Sequence, residues 1–317
     1  MKKIAKRLLY PFEKYLFIEL LWLSGKYFKK ARHLDTYPKL GNIFKQSLYL
    51  VNNKLKIVRK DLSYASEYEN IQKILKKIPN DLNFLVDIGA SDGITQSSTV
   101  KFIFDNNFKG VLFELSPENF AKLAFVYSER DSINLVRAKV TPTNVVGLFG
   151  SLQIPRDFTL LNLDIDSYDL DVTNALLNGG FRPKVISMEI NEVFPPNIEF
   201  EVKYFEDHMY HGDKFYGCSA ASAHKALAKH GYSLIEIHGN NGFFVHNSYA
   251  SGFATRSLFE LWTQGYRNLS NRKELFPWNE PFNFLLTDSN SMCEFKIRSM
   301  FKAYEGKYHL EVADTAI

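Results

Sequence analysis

Between Phe84 and His246 short apolar runs alternate with helical patterns, the rhythm of a parallel sheet with crossover helices. The runs predict strands at Phe84–Ile88, Gly110–Glu114, Ile133–Ala138, Thr159–Asp164, Val185–Ile190, Ser233–His238 and Gly242–His246. Helices are expected between them, near 95–106, 117–129, 168–178 and 219–230. Upstream, Ile71, Ile74, Leu75 and Ile78 share one face of a helix over 64–78, which Pro79-Asn80-Asp81 ends. Gly239-Asn240-Asn241 is a turn sequence, so the last two strands should form an antiparallel hairpin at one edge. The expected fold class is α/β: five parallel strands closed by that hairpin into a doubly wound, seven-stranded, Rossmann-like sheet. Residues 250–317 lose the rhythm and are rich in aromatics and Asn. They read as a helical or irregular C-terminal extension.

At the other end, Ile4, Leu8, Phe12, Leu16, Leu20, Leu23 and Tyr27 recur at helical spacing. Lys2, Lys3, Lys6, Arg7 and Lys14 lie largely elsewhere on the wheel, and Pro11 divides the segment in two. A basic amphipathic stretch over residues 1–32, carrying Phe17 and Trp22, suits an anionic membrane surface. A helix packed on the body of the protein, or on a second copy in a homo-oligomer, has the same pattern. The expected organisation is a basic helical extension over 1–60, a catalytic domain over 61–249 and the C-terminal extension over 250–317.

Charge sharpens this division. Residues 1–60 hold 15 Lys/Arg against 3 Asp/Glu, and residues 61–317 hold 24 against 32. A basic front on an acidic body favours an anionic surface or substrate for the front. The acidic body makes nucleic acid a poor partner. At 45% apolar and 23% charged residues the chain has ordinary globular composition. Cys218 and Cys293 are the only cysteines, too few for a disulfide framework or a Cys-based zinc site, which fits a reducing cytoplasm. The charged lead Met1-Lys2-Lys3 resembles a signal peptide, but Glu13, Lys14 and Glu19 interrupt the apolar core. No run reaches the roughly 18 apolar residues of a membrane-spanning helix. The expected location is cytoplasmic, with peripheral contact at the inner membrane face.

The first strand leads into Asp87-Ile88-Gly89-Ala90-Ser91-Asp92-Gly93. Two glycines just beyond a buried strand make a tight turn that a ligand can approach closely. The dinucleotide fingerprint G-x-G-x-x-G is broken by Ser91, and no G-x-x-x-x-G-K-[ST] is present. Asp87 repels a pyrophosphate and suits a cationic amino-acid moiety. Glu114 ends the second strand 21 residues after Gly93, placed to accept hydrogen bonds from both ribose hydroxyls. The bland alternatives are a turn with no ligand, and a solvated acid or helix cap at Glu114.

These residues resemble the class I S-adenosylmethionine-dependent methyltransferases. D-x-G-A-x-x-G at Asp87–Gly93 is most similar to methyltransferases related to the FkbM group. Lys139–Asn144, Leu160–Asp169 and Arg182–Asn191 are similar to a bacterial subgroup associated with glycan or secondary-metabolite modification. The resemblance spans about residues 82–247. It implies S-adenosyl-L-methionine as cofactor, with Asp87, Gly89, Ala90, Ser91 and Gly93 at its methionine end and Glu114 at its ribose.

The acceptor should meet that cofactor beyond the carboxyl ends of the strands. Asp164 and Asp166 end the fourth strand, and Glu189 and Asn191 repeat the spacing at the fifth. These oxygens suit Mg²⁺ or another divalent cation. Without metal, Asp164 or Asp166 would act as general base while Glu189 positions the acceptor. In a purely structural role the two aspartates would cap the helix near Tyr168. His208 and His211, on the long connection after the fifth strand, are further candidate bases. Tyr204, Phe205, Phe215 and Tyr216 are candidates for stacking on an acceptor, and Ser219 for an N-cap. The expected activity is methyl transfer to a hydroxyl of a small-molecule or glycan acceptor, a lipid-linked sugar or glycan precursor among the candidates. The rivals are a nicotinamide-dependent oxidoreductase and a non-catalytic membrane-surface scaffold.

Overall fold

The computed structural model describes residues 62–79 and 82–313. The basic extension expected over 1–60, and with it the surface segment 1–32, lies outside the described residues. The main sheet contains β1 (Phe84–Ile88), β2 (Lys109–Glu114), β3 (Ile133–Arg137), β4 (Leu160–Leu163) and β5 (Val185–Glu189). After β6 (Ile198–Val202), which lies elsewhere, it is completed by β7 (Tyr232–His238) and β8 (Asn241–His246). The strand order is β3-β2-β1-β4-β5-β8-β7. The first five strands run parallel. The β7–β8 hairpin joins antiparallel to β5. All seven predicted strands form, each bound agreeing to within one residue.

Helices cover both faces, and alternate strand residues divide between them. Leu85, Leu112, Leu160, Val185 and Phe243 join α1 (Glu67–Leu75), α2 (Val100–Phe104) and α3 (Pro117–Val126) in one core. Val86, Val111, Leu161, Ile186 and Phe244 join α4 (Val145–Ser151), α5 (Asp169–Asn178) and α6 (Ala220–Ala228) in the other. Each fully buried large apolar side chain contributes about 1.5–3 kcal/mol, so a strand slipped by one residue would exchange the two cores' contents. Helix α4 has no counterpart in the sequence expectation. Gly147 and Gly150 dilute its helical signal, and packing of Val145 and Phe149 supplies what propensity lacks.

The C-terminal part departs from a helical or irregular extension. It runs through α7 (Leu258–Trp262), α8 (Arg272–Leu275), a 3-10 segment (Pro277–Leu286) and α9 (Asn290–Met300) to a strand, β9 (Tyr308–Val312). β9 pairs antiparallel with β6 in a separate two-stranded sheet. Ile198, Phe200 and Val202 of β6 turn inward onto a third core with Phe215, Phe282, Ile297 and Phe301. The alternation Ile-Glu-Phe-Glu-Val was visible in the chain; its partner lies more than a hundred residues away, beyond reach of local pattern. The Trp262 indole donates to the Glu192 carbonyl at 2.8 Å, tying this segment to the end of β5.

Candidate active site

The turn after β1 forms as the glycines predict, but the space they leave is taken by protein. Gly89 has φ +94°, and a Cβ there would lie 1.7 Å from the Asp164 carbonyl oxygen. Gly93 has φ +76°, and its Cβ would meet Leu123 at 2.5 Å and Tyr127 at 2.7 Å. The glycines therefore press the turn against the end of β4 and against α3. Backbone N–H groups of Gly89 and Ala90 both donate to the Phe113 carbonyl of β2, at 3.1 and 2.9 Å.

Asp87 is buried beneath this turn. Its carboxylate accepts from Thr99 Oγ1 at 2.5 Å and from Asn162 Nδ2 at 2.9 Å. Burial raises its pKa, against the lowering effect of those two bonds. Asp87 thus braces β1 against β4 and α2, where a direct grip on a ligand was expected. Glu114 sits where the spacing put it. One oxygen accepts the Ser91 N–H at 2.8 Å and the other the Ser116 N–H at 2.6 Å. The acid at the end of β2 therefore clasps the β1 turn and the start of α3, and each oxygen keeps a second lone pair.

Asp164, Asp166 and Glu189 converge, with one carboxylate oxygen of each within 4.8 Å of the others. Strand alternation is not what joins the first two, because β4 ends at Leu163 and Asp166 takes a left-handed φ of 53°. Asp169, the first residue of α5, holds the turn between β4 and the helix, accepting the Ile165 N–H at 2.9 Å and the Ser167 N–H at 3.0 Å. That leaves Asp164 and Asp166 to face Glu189. Burial first, then mutual repulsion, holds Asp164 and Glu189 well above the usual carboxylate range. Asp166, though its surface is exposed, is also raised by desolvation, with Lys214 opposing. Glu189 accepts from Asn240 Nδ2 at 3.0 Å through one oxygen; its other oxygen, Oε2, is buried and unpartnered.

Asn191 is fully buried, and its Oδ1 has no hydrogen-bond partner. β5 stops at Glu189, and the Asn191 Nδ2 turns to the carbonyls of Lys214 and Tyr216 at 3.1 and 3.2 Å. His208 is 4% exposed. It packs among Phe205, Phe215 and Tyr168, and burial lowers its pKa. His211 is exposed on the same loop. Neither histidine lines the cavity beside the carboxylates. Ser219 caps α6 as expected, accepting from the Ser222 N–H at 3.1 Å.

That cavity, of about 390 Å³, opens next to the cluster and is walled by Asp166, Glu189, Glu192, Lys214, Tyr216 and Trp278 among others. Glu192 is buried, accepting from Tyr216 Oη at 3.1 Å and Asn279 Nδ2 at 2.5 Å. Burial raises its pKa. The Lys214 ammonium lies 4.8 Å from the centre of the Trp278 ring and 5.6 Å from that of Tyr216.

With this geometry in place, the chain can be set beside known proteins. No family model matches the sequence, and no curated protein matches it. The fold is similar to that of the N-terminal domain of EvdMO1, crystallised in the presence of SAH and D-fucose. There the identity is 11% over 57% of this chain and 82% of that chain, with a TM-score of 0.38. It is also similar to a SAM-dependent methyltransferase from Aquifex aeolicus, 13% identical over 61% of this chain and 96% of that one, TM-score 0.33. A methyltransferase from Clostridium acetobutylicum is 10% identical over 63% and 98%, TM-score 0.36. The assignment of a doubly wound, Rossmann-like fold rests on the strand order of the chain itself.

Sequence reasoning missed Glu192, Lys214, Asn240 and Trp278. Glu192 was the findable one, three residues after Glu189 in the run Glu189-Ile190-Asn191-Glu192. Trp278 comes from the C-terminal segment, which no local pattern connects to β5. Of the proposed stacking aromatics, Tyr216 reaches the cavity wall, while Phe215 is fully buried in the third core.

Proposed function

We propose that the chain is an S-adenosylmethionine-dependent methyltransferase acting on a hydroxyl of a sugar or glycan precursor. One observation carries this reading: the glycine turn clasped by Glu114 abuts the carboxylate cluster, through the contact of Gly89 with the Asp164 carbonyl. A cofactor on the turn and an acceptor in the cavity would then be neighbours. The turn backbone over Gly89–Gly93 and the free lone pairs of Glu114 would hold the cofactor, whose sulfonium supplies an already activated methyl group. The fit is to Glu114 and the turn; Asp87 serves from below by fixing the strand end.

The work left to the protein is positioning and removal of a proton. Burial, and then repulsion from neighbouring acids, raises the proton affinity of Asp164 and Glu189, which makes the ionised form of either a better acceptor for a hydroxyl proton than an ordinary carboxylate. Asn240 holds Glu189 through one oxygen and leaves Oε2 without a hydrogen-bond partner. The same orphaned oxygen, with Asp164 and Asp166, fits a hard divalent cation, which would lower the pKa of a coordinated hydroxyl. Residues 1–32 would bring the enzyme to an acceptor at a membrane surface. Among the described residues no helix is long and apolar enough to cross a membrane.

Titration with S-adenosylhomocysteine and with NAD tests the cofactor, and binding of NAD alone overturns the proposal. Transfer of labelled methyl to cell extracts, with and without EDTA, tests the metal: loss on chelation restored by Mg²⁺ supports it, and indifference removes it. Liposome flotation of the chain with and without residues 1–32 tests the surface role.

A further inference from the structure

Two groups of side chains line the cavity. Asp166 and Glu189 belong to the cluster they form with Asp164. The second group is Glu192, the rings of Tyr216 and Trp278, and the ammonium of Lys214. Nothing in the proposed reaction uses this second group. Its chemistry is that of a cation site, since two aromatic faces backed by a buried carboxylate hold an ammonium better than any neutral or anionic group. The present occupant is the protein's own lysine: burial lowers its pKa, and attraction by Glu192, Glu189 and Asp166 opposes that shift.

The cavity is acidic. Three carboxyl groups line it against that one lysine, burial raises the proton affinity of all three, a penalty that a cation among them relieves, and Glu189 Oε2, on a residue 4% exposed, has no hydrogen-bond partner. A phosphate or carboxylate on an acceptor would meet this excess of negative charge and be repelled. A neutral sugar would leave it uncompensated. A hard divalent ion prefers oxygen ligands and water, and the faces of Trp278 and Tyr216 supply neither.

We propose that the Glu192 group in the cavity is a subsite for a protonated amine on the acceptor, and that Lys214 occupies it as an internal stand-in which the acceptor's ammonium displaces. The identification of this group as part of the acceptor rests on the methyltransferase reading; the cation site does not. The acceptor would then carry both functions, an amine held between Trp278 and Tyr216 and a hydroxyl presented to the Asp164–Glu189 pair.

The test is calorimetric titration of the full chain with glucosamine, N-acetylglucosamine, glucose and glucose phosphate, at a pH where the glucosamine amine is protonated. Glucosamine is expected to bind at least about tenfold tighter than the two neutral sugars, a difference easily resolved. Lys214→Met, or Lys214→Gln if the first does not fold, should raise glucosamine affinity by removing the internal competitor. Glu192→Gln should weaken it. Equal binding of the neutral sugars overturns the proposal, as does absence of glucosamine binding in both the unmodified chain and the Lys214 variants. Glucose phosphate binding that is lost in Lys214→Met would show Lys214 holding an anion, and overturns it too. S-adenosylhomocysteine titrated into the same samples separates the two readings. Binding of that nucleoside without glucosamine sinks the amine subsite alone, and glucosamine binding without it sinks the methyltransferase assignment alone.

Discussion

Gly89→Ala is the sharpest perturbation the structure offers, because it strikes the contact between the glycine turn and the carboxylate cluster. The new Cβ would stand 1.7 Å from the Asp164 carbonyl oxygen, where even 3.0 Å is closer than real Cβ contacts come. Neither side can retreat freely. The Asp164 N–H is bonded to the Ile88 carbonyl at 3.0 Å, and the Gly89 N–H to Phe113 at 3.1 Å. A side chain at positive φ costs about 1–2 kcal/mol, and forcing extra volume into packed backbone about 1–3 kcal/mol more. The expected loss is thus about 2–5 kcal/mol, a large share of a typical stability of about 5–15 kcal/mol. Urea unfolding should show a lower midpoint with an unchanged slope, and S-adenosylhomocysteine affinity should fall at least about tenfold as the turn leaves Glu114. Gly147→Ala is the control. Nothing lies within 4 Å of its Cβ position inside α4, so it should stabilise by about 0.5–1 kcal/mol. A Gly89→Ala protein within about 0.5 kcal/mol of the parent, inside the range of an ordinary surface change, would refute the argument.

Glu114→Gln should weaken S-adenosylhomocysteine binding at least about tenfold by calorimetry. Its amide cannot accept from both the Ser91 and Ser116 N–H groups, so about 1–3 kcal/mol of stability should go with it. Asp169, buried at the start of α5, has its pKa pushed up to about 7 chiefly by desolvation. Between its unfolded pKa near 4 and about 7 the folded state holds a proton that the unfolded state has lost. Stability should therefore fall as pH rises through that window, by up to about 1.4 kcal/mol per pH unit for this one group, and denaturant midpoints measured across it check the sign. His208→Phe and His211→Ala should keep methyl transfer within about tenfold of the parent with an unshifted pH profile, since loss of a general base costs about 10²–10⁴-fold.

Hydrophobic rhythm was enough to place the seven strands of the main sheet, because strands buried on both faces write continuous apolar runs into the chain. It was enough for the glycine turn and for Glu114 at its correct distance. The i, i+2 spacing of Asp164 and Asp166 pointed to two residues that do come together, but a left-handed turn, not an extended strand, joins them. At Asn191 too the strand has already ended. His208 looked like loop chemistry in sequence and is buried in space, because Phe205 and Phe215 of its own loop and Tyr168 at the start of α5 pack round it.

What the sequence determined by itself is therefore local and periodic: the order of strands and helices, the turn between β1 and α2, and the acids that close β2, β4 and β5. Tertiary structure decided where side chains spend their hydrogen bonds. It made Asp87 a buried brace between β1, β4 and α2, and set Asp169 to hold the turn that precedes α5. It also carried Trp278 across the chain to face Lys214 and Glu192. Each of these depends on contacts between residues far apart in sequence, whose energy comes from burial and pairing in three dimensions and leaves no period along the chain.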